Sequence, residues 1–321
     1  MKFILAIIYA AIIFTGCNTA ETTPTPLLWH IQSPTGQTAY LFGSIHAGNE
    51  TLFPLPDYVM VPFMQADYLA VELDIRDFSQ LNYESQQFLL ELIQDLNIGT
   101  IYDDIGETLF YELQNAVTEN IPTFRLLDKS ATSHEILLHF THLERLHRSH
   151  ITSYRMEQGV DSYFLNLASS RNIPVIEIES AATRNTIFIN RPSEMVAYEI
   201  KQIIHRLETN TFFQYDSWGN PVDIDIYINA TDRWQRGVVS EIAESRRYPL
   251  RNIDNVSAEG AAVKHWVANA HNMRSHAMAT RLMELMADDK NVFAVTGVAH
   301  LAGEGSIAYW LRHYGYTLTR V

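Results

Sequence analysis

Two histidines stand at the same step from a glycine, each at the tail of an apolar run: Gly43 and His46 in "FGSIHAG", Gly297 and His300 in "TGVAHLAG". A further glycine follows each, Gly48 and Gly303. Glycine at such spacing permits a tight turn or a close backbone approach, and neutral imidazole is the commonest metal ligand near neutral pH. Two glutamates come late in short apolar runs of their own, Glu72 in "VELD" and Glu179 in "IEIES". An interior carboxylate there is costly unless it is paired or metal-bound. Two imidazoles with one or two carboxylates, arriving from different strand ends, match a Zn-like or Mn-like site with an open position for water. Such an ion brings the pKa of bound water to about 7 and polarises a carbonyl, which is metal-assisted hydrolysis. Spacing alone leaves a plainer reading open, in which each histidine donates the hydrogen bond that closes its own turn.

The elements that must carry these residues alternate between strand and helix patterns. "LLWHI" and "TAYLFGSI" flank the turn residues "SPTGQ" and read as a β-hairpin. "LFPLPDYVMVPFMQA" enters a short helix through prolines, and "DYLAVELDI" is a buried strand ending near Glu72 to Asp74. From Phe78 to about Phe164 apolar residues recur at three- and four-residue steps, "SQQFLLELIQDL" included, which predicts helices. Ile173 to Ser180 is a further strand, and Ser193 to Asp288 is largely helical again. The chain closes with strand, glycine-bounded turn, helix, Gly315 and a last strand. The prediction is an α/β fold with a mixed, mostly parallel sheet, opened by an antiparallel β-hairpin and carrying helical insertions. Ligand sites in open sheets of this kind lie outside the carboxyl ends of the strands, where both Gly-x-x-His motifs fall.

A chain of 321 residues, 47% hydrophobic and 19% charged, builds one large domain or two modest ones. Its net charge of -14 argues against binding a phosphate backbone, so nucleic acid is not an expected partner. The apolar run from Phe3 to Phe14 is shorter than the roughly 20 residues a spanning helix needs and reads as a signal-peptide core. "FTGC" resembles the lipobox of bacterial lipoproteins. That resemblance implies a signal peptide over residues 1–16, acylation of Cys17, a tether over 17–26 and a folded domain over 27–321. Asn18 after the cysteine implies a place in the cell envelope, lipid-anchored at the outer membrane. Cys17 is the only cysteine, so no intrachain disulfide forms.

The ordered series "LLWHIQSPTGQTAYLFGSIHAG", "FPLPDYV", "ADYLAVELD", "GVDSYFLNLASSRNIPVIEIES" and the closing "RSHAMATRLMELMADDKNVFAVTGVAHLAGEGSIAYWLRHYGY" resembles the TraB/GumN (TraB/PrgY/GumN) family. That family includes Tiki-type metalloproteases and is related in fold to ChaN and erythromycin-esterase-like proteins. The resemblance implies a metal-dependent hydrolase, most plausibly a peptidase, using a divalent ion (Zn, Mn or Co) on a peptide or small-molecule substrate. Plasmid-borne TraB and PrgY members inhibit peptide-pheromone signalling instead. The alternative is therefore a non-catalytic protein that sequesters a small ligand such as a signalling peptide or haem. Carried over by residue, the family's site falls on His46 and His300 as ligands or acid/base groups, with Glu72 as carboxylate partner and Glu179 beside it. Asp161 in "GVD" and the preceding Arg155 are further candidates, the arginine for a substrate carboxylate or an oxyanion. Where many members have Arg-Asn, this chain has Arg274 and Ser275.

Other conspicuous stretches have plainer readings. The helix carrying His134, His139, His142, His147 and His150 lacks the H-E-x-x-H order and reads as a solvated face. Trp218 reads as part of a packed loop, and Trp310 with Tyr314 as core.

Overall fold

The computed structural model describes residues 24–76, 98–121, 128–151, 153–216, 220–221, 224–245, 247, 250–253, 256–288 and 290–321. Cys17, Trp218 and the predicted helix "SQQFLLELIQDL" lie outside those residues. The opening hairpin joins β1 (Leu28–Gln32) to β2 (Thr38–Ser44) in antiparallel register, Leu28 opposite Phe42 and Gln32 opposite Thr38. Its turn forms where predicted: the Ser33 hydroxyl accepts from the Gln37 N–H at 3.0 Å, and Gly36 supplies a φ of +98°.

Helix α1 (Asp57–Met64) leads to β3 (Tyr68–Val71), and α2 (Ile101–Asn120), α3 (Ser133–Ile151) and α4 (Val160–Arg171) lead to β4 (Val175–Glu177). Then come α5 (Ala181–Ile189), α6 (Ser193–Glu208), α7 (Ile224–Arg236), α8 (Val239–Ser245) and the long α9 (Ala258–Met286). Strand β5 (Val292–Gly297), helix α10 (Ile307–His313) and β6 (Thr317–Arg320) finish the chain. The strands form one sheet in the order β4-β3-β5-β2-β1-β6, in which β4, β3, β5 and β2 run parallel and β1 is antiparallel to both neighbours. The mixed, mostly parallel sheet is thus as predicted. Strand β4 spans three residues rather than the whole apolar run, although the Ile178 and Glu179 N–H groups still donate to the Val71 and Glu72 carbonyls beyond it.

Side chains alternate across the sheet, so its two faces build separate cores. Val292 and Ala294 face the side covered by Met278, Leu282, Ile307 and Leu311 of α9 and α10. Phe293 and Val295 face the side covered by Val59, Phe63, Val160 and Phe164 of α1 and α4. Every residue of β5 is buried, as a strand sandwiched between helical layers must be. Phe164 packs edge-on against Phe42 and Phe63, with centroids 5.7 and 4.9 Å apart. Burying such a ring contributes roughly 1.5–3 kcal/mol, which anchors the first turns of α4 on the sheet. The insertions make a third core, where Phe110 and Leu113 of α2 meet Phe140 of α3 and Ile200 and Ile203 of α6. His139 and His142 lie on the exposed side of α3, as expected of a solvated face, whereas His134 is half-buried and His147 stacks on Phe213.

Tyr314 does not sit in the core, whereas Trp310 is half-buried and packs against its edge. Tyr314 is 41% exposed and its hydroxyl lies 2.7 Å from His276 Nε2, while the Trp310 indole donates to Asn272 Oδ1 at 2.9 Å. Their four-residue spacing follows the polar side of α10, whose Ile307 and Leu311 take the buried side. Among the described residues no helix is long and apolar enough to cross a membrane.

Candidate active site

The two glycine-histidine motifs end adjacent parallel strands and pack into each other. Gly43 pairs with Thr296 and Ser44 with Gly297 across β2 and β5. A Cβ on Gly43 would lie 2.7 Å from Val298 Cγ2, and one on Gly297 would lie 3.1 Å from His46 Nε2. Each motif's glycine therefore makes room for the other motif's loop. A third glycine completes the turn: the α4 N-cap Gly159 would place a Cβ 2.0 Å from the His46 carbonyl oxygen.

His46 is oriented from behind. Its Nδ1 lies 2.9 Å from Asp161 Oδ2, and the other carboxylate oxygen, Oδ1, accepts from the Ser44 hydroxyl at 2.7 Å. The Asp161 charge is the largest influence on the imidazole. Burial opposes it, but the hydrogen bond to Asp161 and the charge of Glu72 add to it, and together they raise the His46 pKa to about 9. The imidazole is 51% exposed, so water screens part of this effect. Its other nitrogen, Nε2, borders the same space above Gly297 as Glu72 Oε2, which would lie 3.4 Å from a Cβ there.

Glu72 follows β3 directly, and its carboxylate is fixed on both oxygens. Oε2 accepts from the Gly297 N–H at 3.0 Å and Oε1 accepts from Arg274 Nη2 at 2.6 Å. Burial would favour the neutral acid, yet His46, Arg274 and the Gly297 amide outweigh it and hold the carboxyl below its ordinary pKa. The same guanidinium takes both oxygens of Glu179, Nε to Oε1 at 2.5 Å and Nη2 to Oε2 at 2.7 Å. Burial lowers the Arg274 pKa, but its bonds and charge pairing with Glu179 and Glu72 more than reverse this and raise it. Arg274 is delivered by α9, whose Met278 and Leu282, four and eight residues on, are wholly buried against the sheet.

His300 belongs to a neighbouring cluster. It is 5% exposed, stacks on His271 with centroids 4.1 Å apart, and has Nδ1 2.8 Å from Ser275 Oγ. The Ser275 hydroxyl donates to the His271 carbonyl at 2.8 Å, so its oxygen is the acceptor for an Nδ1–H on His300. Arg155 reaches the His46 loop through its backbone, in an antiparallel bridge with Gly48 (N–H to O at 2.8 and 3.0 Å), and its guanidinium donates to the Tyr154 carbonyl.

The site residues predicted from sequence thus divide into an acid–base group (His46, Glu72, Glu179) threaded by Arg274, and a histidine (His300) held one step away. Asp161, a secondary candidate by sequence, is the direct partner of His46. Ser44 went unpredicted, although strand alternation places residues 44 and 46 on one face. A catalytic zinc-type ion takes three protein ligands. With Glu179 committed to Arg274, the donor set does not fit such a centre: among the described residues no group of three or more His, Cys, Asp or Glu is placed to hold one ion. A cavity of about 470 Å³ bounded by Phe53, Tyr163, Asn166 and Ser170 reaches the loop after His46 at Asn49 and Gly159. Those α4 residues lie about half a turn around the helix from Asp161.

Acid–base side chains gathered past the carboxyl ends of parallel strands, where β5 returns between β3 and β2, define an α/β protein with its site at a strand-end crevice. The chain belongs to the TraB/PrgY/gumN family, whose profile matches residues 27–320. It is similar to the protein YbaP of Shigella flexneri, 25% identical over 172 residues, which is 52% of this chain and 58% of that one. YbaP of Escherichia coli (strain K12) is 25% identical over the same length, with the same shares covered. The match therefore spans little more than half the length of these relatives. No solved structure matches the chain.

Proposed function

We propose that the chain is a lipid-anchored hydrolase of the cell envelope acting on peptide bonds, a reading carried over from the family, with Glu72 as general base and His46 as general acid. The observation that carries this reading is the space above Gly297, which His46 Nε2 and Glu72 Oε2 both border. Two titratable groups whose surroundings push them to opposite charge make an acid–base pair. Asp161 keeps His46 protonated, and the charge of His46, followed by that of Arg274, keeps Glu72 ionised. In the proposed step Glu72 takes a proton from water as its oxygen adds to the carbonyl. His46 then gives its proton to the departing amine as the C–N bond breaks, and solvent returns the Glu72 proton to His46. Arg155, tied to the same loop, is the proposed partner of the developing oxyanion. The anchor is an acyl chain on Cys17, placing the protein at the outer membrane.

The test is cleavage of a quenched fluorescent peptide library by the mature protein, its Glu72→Gln and His46→Ala variants, with and without chelator. Cleavage that falls roughly 10²- to 10⁴-fold in either variant is expected. Cleavage unchanged in both variants would sink the assignment, and peptide binding without cleavage would establish the sequestering alternative. Loss to chelator that Zn, Mn or Co restores would add an ion to the pair.

A further inference from the structure

The start of the described chain and the candidate site occupy the same edge of the sheet. Strand β1 is antiparallel to β2, so its beginning lies beside the end of β2, and the Gly43 N–H donates to the Leu27 carbonyl at 3.0 Å. Consecutive residues near the end of α7 then tie the two together. The Trp234 indole donates to the Gly43 carbonyl at 2.7 Å, and the Gln235 carbonyl accepts from the Thr25 N–H at 2.7 Å. Pro26 is fixed as well, its carbonyl accepting from the Tyr58 hydroxyl at 2.6 Å, and a Cβ on Gly237 would lie 2.0 Å from the Thr25 oxygen. The point from which any N-terminal anchor departs is therefore held firmly beside the Gly43-to-His46 turn.

We propose that the site faces the membrane that anchors the protein and acts on peptides held at that surface; this rests on the acylation of Cys17 in the preceding reading. From Cys17 to Pro24 the chain spans at most about 25 Å when fully extended. A domain of this size is roughly twice that across. The tether therefore keeps the site edge near the lipid, while the Ser33–Gln37 turn lies at the opposite end of β1 and β2. The net charge of -14 offers no general attraction to anionic headgroups, so tether placement sets the orientation. Confinement raises the effective concentration of a surface-held peptide and leaves that of a free one unchanged.

The experiment uses the full-length acylated protein in phosphatidylethanolamine–phosphatidylglycerol vesicles containing a headgroup quencher. Cys17 is the only native cysteine, so a fluorophore goes to one introduced thiol, at exposed Glu304 past β5 or exposed Thr35 in the hairpin turn. Glu304→Cys label quenched several-fold more than Thr35→Cys label is expected, together with faster cleavage of a lipid-coupled peptide than of the same peptide in solution. Equal or reversed quenching in acylated protein overturns the orientation and leaves the hydrolase reading intact. Failure of Cys17 to incorporate labelled fatty acid removes the anchor and overturns the proposal at its base. Correct quenching with no cleavage of either peptide overturns the proposed action on surface-held peptides and the hydrolase reading with it.

Discussion

His46 and Asp161, 115 residues apart, meet Nδ1 to Oδ2 at 2.9 Å, and Ser44 holds the far oxygen of the same carboxylate. Asp161→Asn removes the charge that most strongly favours the imidazolium. The His46 pKa, raised to about 9, then falls toward that of a free imidazole, and cleavage at pH 7.5 drops roughly hundredfold. A folded-state pKa above the unfolded one contributes stability that is complete below about pH 6.5 and is lost as pH rises through 9. The variant loses that slope. NMR titration of the His46 ring, with melting curves between pH 6 and 10, checks both; an unmoved His46 titration refutes the pairing.

Arg274 neutralises two carboxylates at once. Arg274→Met leaves the almost fully buried Glu179 without its cation and Glu72 with His46 alone, and stability falls by about 3–5 kcal/mol in urea titration at pH 7. The loss shrinks at low pH, as Glu72, held below its ordinary pKa in the fold, takes up its proton. Arg274→Lys recovers only part of it, because an ammonium cannot span both carboxylates in the planar geometry of the guanidinium. A lysine variant as stable as the parent would show that the fork geometry is unimportant.

Two glycines separate chemistry from packing. Gly297 has a φ of -48°, so Gly297→Ala costs little in the backbone, and its Cβ meets the movable end of the His46 ring. The expected result is a stability change under about 1 kcal/mol with turnover reduced at least about tenfold. Gly159→Ala instead drives a methyl into the His46 carbonyl and costs about 1–3 kcal/mol or more. Denaturation and turnover measured on both variants distinguish the two; equal profiles would refute the contrast.

A second pH effect lies away from the site. Burial, followed by the charge of Arg191, lowers the His134 pKa to about 4. Because the unfolded chain binds this proton more readily, the stability contribution is complete above about pH 6.5 and is lost as pH falls toward 4. His134→Gln flattens that part of the curve. Melting temperatures of parent and variant between pH 7 and 4 provide the check, and parallel curves would show that His134 does not contribute.

The repeated Gly-x-x-His was legible because its cause is local: both motifs end strands, and those strands are neighbours in register. The hairpin, the short buried β3 and the closing strand–helix–strand unit were legible for the same reason, each marked by apolar periodicity and turn residues. Partner choice was not. Sequence requires that a buried Glu179 be compensated, and a metal and an arginine satisfy that requirement equally; only the packing of α9, 95 residues on, selects Arg274. Likewise Asp161 meets His46 because Phe164 seats α4 on the sheet, a contact with no local signature. Trp310 and Tyr314 had the spacing of a buried stripe, but Ile307 and Leu311 fill the buried side of this short helix, so Trp310 reaches only the core's edge and Tyr314, just past the last turn, is exposed.

The central strand β5 is synthesised after four of the other five described strands of its sheet. Until β5 emerges, β2 and β3 have no partner on the sides they present to each other, and Glu72 lacks the Gly297 amide. A nascent chain stopped before residue 292 carries His46 and Glu72 but cannot bring them into register. The contact between Glu72 and the Gly297 amide is therefore withheld until β5 has been translated.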